Sequence, residues 1–125
     1  MKYSDLTVQT ILLNFPEFQK EIDEQILFWG GDEIPNHCLF GDCFNKNLKN
    51  LLNEMENINL IQRIFDFYEY LATEGDEDIK DLVQVTLLEP LWDYAHIYKR
   101  AYSFMGSNTL ILNSEISRYL NEPKR

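Results

Sequence analysis

The sequence predicts an all-α fold, a single compact domain of about six or seven helices spanning residues 1–125. Apolar residues recur at helical spacing almost everywhere, and no stretch alternates apolar and polar for long enough to make a strand. Gly, Pro or Asn punctuates the chain between the periodic segments. At 125 residues it has the size of one domain. A content of 45% apolar residues, with 8 Phe, 7 Tyr and 2 Trp, builds a core without help from a metal or a disulfide.

Leu6, Val8, Ile11, Leu12 and Phe15 fit a first helix from Ser4, whose hydroxyl is placed to cap it, to Asn14, where Pro16 ends or kinks it. Phe18, Ile22, Ile26 and Trp29 make one stripe of a second helix, closed by Gly30-Gly31. Residues 30–38 lack periodicity and read as the main internal loop, which holds His37 and Cys38. A third helix runs from Phe40 or Asp42 to about Met55, with Leu48, Leu51 and Leu52 inward. Asn57 or Asn59 caps a fourth, in which Ile58, Ile61, Phe65, Tyr68 and Leu71 form the clearest stripe of the sequence. Leu60, Ile64 and Phe67 widen that stripe, so the helix is expected to be central and contacted on two sides, with Gly75 ending it.

Asp76, Glu77 and Asp78 suit the positive end of a fifth helix. That helix buries Ile79, Leu82, Val83, Thr86, Leu87, Leu91 and Trp92 and must kink or break near Pro90. Tyr94 to Met105 makes a sixth helix stopped by Gly106, and Ser107 caps a seventh carrying Leu110, Ile111, Ile116, Tyr119 and Leu120. The basic end from about residue 121 is expected to fray. Short links between such helices call for antiparallel hairpins, in a bundle or a short solenoid.

The first residues show no apolar signal region, and the longest apolar runs, such as Ile11-Leu12-Leu13, fall far short of a membrane span. The only cysteines, Cys38 and Cys43, are close in sequence, so a bridge would constrain little; reduced thiols and a cytoplasmic location are expected. His37, Cys38, Asp42 and Cys43 offer zinc-type ligands, yet no CxxC or second ligand pair accompanies them and His96 stands alone, so neither metal nor cofactor is expected. Cys43 with His37 or His96 lacks the surroundings of a nucleophile, and Gly30-Gly31 runs into Asp32 and Glu33, which repel phosphate. The sequence thus points to a protein that is not an enzyme.

Charge is the informative feature. The formal net charge is −10, which argues against direct binding of nucleic acid and for a basic partner. Residues 17–33 set Glu17, Glu21, Asp23, Glu24, Asp32 and Glu33 against Lys20 alone. Residues 66–81 set Asp66, Glu69, Glu74, Asp76, Glu77, Asp78 and Asp81 against Lys80 alone. The last quarter is basic, through Lys99, Arg100, Arg118, Lys124 and Arg125. Trp29, Phe40, Phe44, Tyr70, Trp92, Tyr94, Tyr98 and Tyr102 fall at helix ends or on mixed faces, where interfaces find anchors.

The run Phe65-Asp66-Phe67-Tyr68-Glu69-Tyr70-Leu71-Ala72, then Gly75-Asp76, Val85-Thr86-Leu87-Leu88-Glu89-Pro90-Leu91 and Tyr102-Ser103-Phe104-Met105-Gly106-Ser107-Asn108-Thr109, makes a pattern. With Phe15-Pro16-Glu17-Phe18 and Phe40-Gly41-Asp42, it resembles a family of small all-helical bacterial proteins of largely unassigned function. That family includes immunity proteins of toxin systems, among them contact-dependent growth inhibition. The resemblance implies a protein that binds its cognate toxin domain in the cytosol, often a nuclease, and covers the groove where RNA would enter. It assigns no residue a role. Charge alone nominates Glu21, Asp23, Glu24, Asp32, Glu33, Asp66, Glu69, Glu74, Asp76, Glu77, Asp78 and Asp81 as the surface that meets a basic toxin domain. The alternatives are an adaptor or regulatory domain using the same surface, or a small enzyme with a cleft near His37, Asp42 and Cys43.

Overall fold

Phe44 and Tyr68 show where this sequence keeps its core. Both are fully buried, and Phe44 lies in ring contact with Phe15, Phe18, Phe40, Phe67 and Tyr68 at centroid distances of 5.2–6.0 Å, mostly edge-on or offset. The computed structural model describes residues 1–120, with side chains through Ile116. It is all-helical, and no strand occurs among the described residues. The helices are α1 (Val8–Asn14), α2 (Gln19–Trp29), α3 (Asn36–Glu54), α4 (Ile58–Glu74), α5 (Glu77–Asp81), α6 (Ala95–Tyr102) and α7 (Ser107–Leu120). Single 3₁₀ turns at Tyr3–Asp5 and Pro16–Phe18 flank α1.

The fourth helix is central, as its doubled stripe predicts. Leu60, Ile61, Ile64, Phe65, Phe67, Tyr68, Leu71 and Ala72 are buried, and α4 packs against α3, α5 and α7. Of its stripe only Ile58, at the first turn, opens to solvent. Contacts between elements distant in sequence, α3 with α6 and α4 with α7, make this a bundle and not a solenoid, in which each unit would touch only its neighbours. One contiguous apolar cluster runs through all of it, from Leu6 to Ile116.

Several boundaries differ from the sequence reading. Ser4 lies in the 3₁₀ turn; α1 starts after Thr7, whose N–H donates to Thr10 Oγ1 at 3.0 Å. The third helix begins four residues earlier than Phe40, because extended Pro35 hands the chain directly into it, and His37 and Cys38 belong to its first turn and not to a loop. Gly41, between the two expected starting points, sits inside α3, where an added Cβ would press on Thr86 Cγ2 at 3.3 Å. Gly30 does close α2, with φ +60° and its N–H on the Ile26 carbonyl. Asn57 caps α4 through its side chain, which accepts from Leu60 N–H at 3.3 Å.

The break demanded by Pro90 takes an unusual form. After α5 the chain loosens into a π-helical stretch, Leu82–Leu88, then tightens into a 3₁₀ stretch, Glu89–Asp93. Glu89 N–H reaches back five residues to the Gln84 carbonyl. Pro90 has no N–H to give the Thr86 carbonyl four residues before it, and Asn45 Nδ2 of α3 donates to that carbonyl at 3.0 Å instead. The sixth helix is shorter than the sequence suggests, and Tyr94 stands outside it.

Ser107 is not the cap of α7. The donors of that helix start are met from another helix by Glu69 of α4, which accepts from Asn108 N–H at 3.1 Å, Asn108 Nδ2 at 2.9 Å, Thr109 N–H at 2.8 Å and Thr109 Oγ1 at 2.8 Å. Gly106 makes room: a Cβ there would lie 2.6 Å from Glu69 Cδ and Oε1. The inner face of α7 is Thr109, Asn113 and Ile116, whereas Ile111 is exposed. Asn113 is satisfied in the core, accepting from Trp92 Nε1 at 3.0 Å and donating to Tyr98 OH at 2.8 Å. Tyr119, Leu120 and the basic end from residue 121, for which contacts and fraying are expected, lie outside the residues whose side chains are described.

Candidate functional site

The π-helical stretch, α2 and α3 enclose an open polar groove of about 850 Å³. Three residues of α3 supply one wall because positions four apart on a helix share a face: His37 pairs with Thr86 Oγ1, Gly41 lets Thr86 approach, and Asn45 holds its carbonyl. Across the groove, Gln25 of α2 donates to Asp42 of α3. Glu21, Glu24, Lys20 and Lys46 complete the rim, and Glu21 Oε2 is closed off from solvent without a hydrogen bond.

His37, Asp42 and Cys43 therefore lie near one another, but not as a relay. Asp42 is taken by Gln25, His37 by Thr86, and Cys43 is fully buried. Burial, followed by the charges of Glu21 and Asp42, pushes the Cys43 thiol up to about 12, far from a thiolate nucleophile. No group of His, Cys, Asp or Glu with metal-binding geometry occurs among the described residues, and no described helix is long and apolar enough to cross a membrane.

The carboxylates nominated from charge divide into two kinds. Two serve the fold. Partial burial of Glu69 would raise its carboxyl, but the hydrogen bonds from Thr109 and Asn108 outweigh this and hold it below the usual carboxylate range. Asp76 caps α5, accepting from Ile79 N–H at 2.9 Å, and also ties down the N-terminal segment, accepting from Tyr3 N–H at 2.9 Å. These backbone bonds, that of Tyr3 foremost, lower its carboxyl too. A further carboxylate of the first block, Glu17, forms an ion pair with Arg63 and is likewise lowered, chiefly by that hydrogen bond.

The remaining nominees are exposed, apart from half-buried Glu21: Asp23, Glu24, Asp32, Glu33, Asp66, Glu74, Glu77, Asp78 and Asp81. Gln19 donates to Asp23 and Gln62 to Asp66, each within its own helix at 2.8 Å. Lys80 stands 3.8 Å from Glu77. Tyr3 is where the two acidic blocks approach each other. It shares a surface groove with Asp32 and Glu33, and its phenol is raised by burial and then by the charges of Asp78 and Asp81, against a hydrogen bond from Asn36. Residues of both blocks, more than forty positions apart in sequence, thus meet the same N-terminal segment, Asp76 at the Tyr3 N–H and Asp32 and Glu33 along its groove.

Of the aromatic residues read at helix ends or on mixed faces, Phe40, Phe44 and Trp92 are core residues. Tyr70, Tyr94 and Tyr102 are exposed, with Trp29 and Tyr98 half-buried. The tip of α2 escapes the sequence reading. Ile22 is the last fully buried residue of that helix; beyond it Leu27 is 82% exposed, Phe28 79% and Ile26 47%. Periodicity assigns Ile26 to the inner stripe, but no residue of α2 after Ile22 is fully buried, and there the helix meets α3 through the polar Gln25–Asp42 pair, leaving Ile26 half in solvent.

The molecule is thus an all-helical bundle with an acidic face, a polar groove and an uncovered apolar helix tip. By sequence the chain belongs to the family described as "Domain of unknown function (DUF7674)", which matches residues 8–121. No curated protein and no solved structure matches it.

Proposed function

We propose that the chain is an inhibitor of the immunity type, which binds a cognate basic toxin domain, such as a nuclease, and blocks it without doing chemistry of its own. The observation that carries this reading is the approach of both acidic blocks to Tyr3, whose groove Asp32 and Glu33 line and whose N–H donates to Asp76 at 2.9 Å, with exposed Asp78 and Asp81 on the helix that Asp76 caps. An acidic face built from separate segments speeds encounter with a cationic surface and competes with the phosphates such a surface otherwise holds. The separate engagement of His37, Asp42 and Cys43 favours it over the enzyme alternative.

Affinity capture from the native host, followed by assay of the captured protein, tests it. The expected partner is a basic toxin domain whose activity disappears at equimolar inhibitor, with an association rate that falls as salt shortens the Debye length from about 10 Å toward 3 Å. Neutralising Asp32, Glu33, Asp78 and Asp81 to Asn or Gln should slow association. A neutral partner, or a rate indifferent to both salt and these substitutions, overturns the proposal.

A further inference from the structure

Large apolar side chains exposed singly are ordinary, but consecutive Leu27 and Phe28, each about four-fifths exposed and flanked by half-exposed Ile26, form an apolar knob near the end of α2. Carboxylates flank it on both sides in sequence, with Lys20 two turns back on the same helix. Asp23 and Glu24 lie one turn before Leu27 and Phe28 on the same helix, and Asp32 and Glu33 follow directly after the Gly30-Gly31 turn. Trp29 backs the knob: its ring meets Phe28 edge-on at 5.7 Å, and its Nε1 donates to Gln25 Oε1 at 3.1 Å.

We infer that the tip of α2 is the anchor that docks the partner, with Leu27 and Phe28 entering an apolar pocket whose rim carries Lys or Arg. The inference rests on the inhibitor reading above and adds the place and chemistry of contact. Charge complementarity selects this occupant. A second copy of the chain would bring Asp23, Glu24, Asp32 and Glu33 against their own images in a molecule of net charge −10, and an anionic bilayer would repel the same rim. A cationic rim satisfies those carboxylates while the apolar centre is covered, which is the arrangement of protein interfaces with a central anchor and a polar border.

The test uses two probes: a helical peptide with Leu on one face and Lys on the other, and an oligolysine of equal charge. Binding is read from tryptophan emission, with Trp29→Phe as control because Trp92 is buried beside Asn113. The amphipathic peptide should bind with a blue shift that Trp29→Phe abolishes. The double variant Leu27→Ser/Phe28→Ser should weaken it at least about tenfold, with an unchanged thermal midpoint because both side chains already stand in solvent. Oligolysine should bind without the shift and be unaffected by the double variant. If the wild type and the double variant bind the amphipathic peptide equally, the anchor is refuted while the acidic-face reading stands. If neither cationic probe binds at low salt, both fall. Sedimentation showing a dimer that the double variant dissolves would reassign the tip to self-association and overturn the inference.

Discussion

Removing the Glu69 carboxylate tests how the two halves of the bundle are joined. Glu69→Ala deletes the acceptor of two donors on Asn108 and two on Thr109. Thr109 is fully buried, so its N–H and hydroxyl would be left without water or partner, at about 1–3 kcal/mol each; half-buried Asn108 recovers part of its loss from solvent. The total is about 2–6 kcal/mol, a large part of the roughly 5–15 kcal/mol that holds a domain of this size. A decrease of roughly 8–25 °C in the melting midpoint follows, by calorimetry or circular dichroism.

The same carboxyl is lowered in the folded state, so its contribution is complete above the ordinary carboxylate value of about 4.3 and disappears as pH falls through the lower folded value. The stability gap between wild type and Glu69→Gln should therefore close on acidification below about pH 4. Gly106→Ala pushes on the same carboxylate and should be destabilising alone but nearly silent in the Glu69→Ala background. A change under about 0.5 kcal/mol for Glu69→Ala, or full additivity with Gly106→Ala, would refute the account of Glu69 as the cap of α7.

Other substitutions have equally definite outcomes. Tyr68 is buried with its hydroxyl unbonded and its ionisation strongly suppressed by that burial, so Tyr68→Phe should raise the unfolding free energy measured in urea by about 1 kcal/mol; a loss of stability would mean the hydroxyl has a partner. Gly75→Ala places a Cβ against Ile79 and 2.5 Å from the Leu71 carbonyl, a backbone atom that cannot move aside, and should destabilise by more than about 2 kcal/mol in the same assay. Thiol titration of the native protein should modify exposed Cys38 promptly and buried Cys43 only on unfolding; rapid reaction of both would contradict the packing of α3.

Much of the fold is legible in the sequence because it depends on local spacing. The double stripe of α4 announces a central helix, Gly30 the end of α2, and Asn57 the start of α4. What escapes are features decided by partners distant in sequence. Ser107 is a good capping residue by composition, but Glu69, nearly forty residues away, occupies the position first. Gly41 reads as part of a helix start until Thr86 is seen pressed against it. Likewise Pro90 foretells a disturbed helix, but not that Asn45 takes over the abandoned carbonyl and allows the chain to widen there. For the site, the acidic blocks are visible as composition and Asp76 as a helix-start charge, while the diversion of Glu69 into the scaffold and the bond of Asp76 to Tyr3 are not. Periodicity also misleads at Ile26, since a stripe reports which side of a helix is apolar and not how far the neighbouring surface extends.

The widened turn at Thr86 ties distant parts of the bundle together. A π-helical stretch places one more residue in the same length of axis than neighbouring α-helix would, and here the surplus is held in register by bonds to α3 and α7: Asn45 on the Thr86 carbonyl, His37 on the Thr86 hydroxyl, and Gln84 on the Leu112 carbonyl at 2.9 Å. The irregular segment is thus a strap between α3 and α7, since neither helix can part from it without giving up one of these bonds.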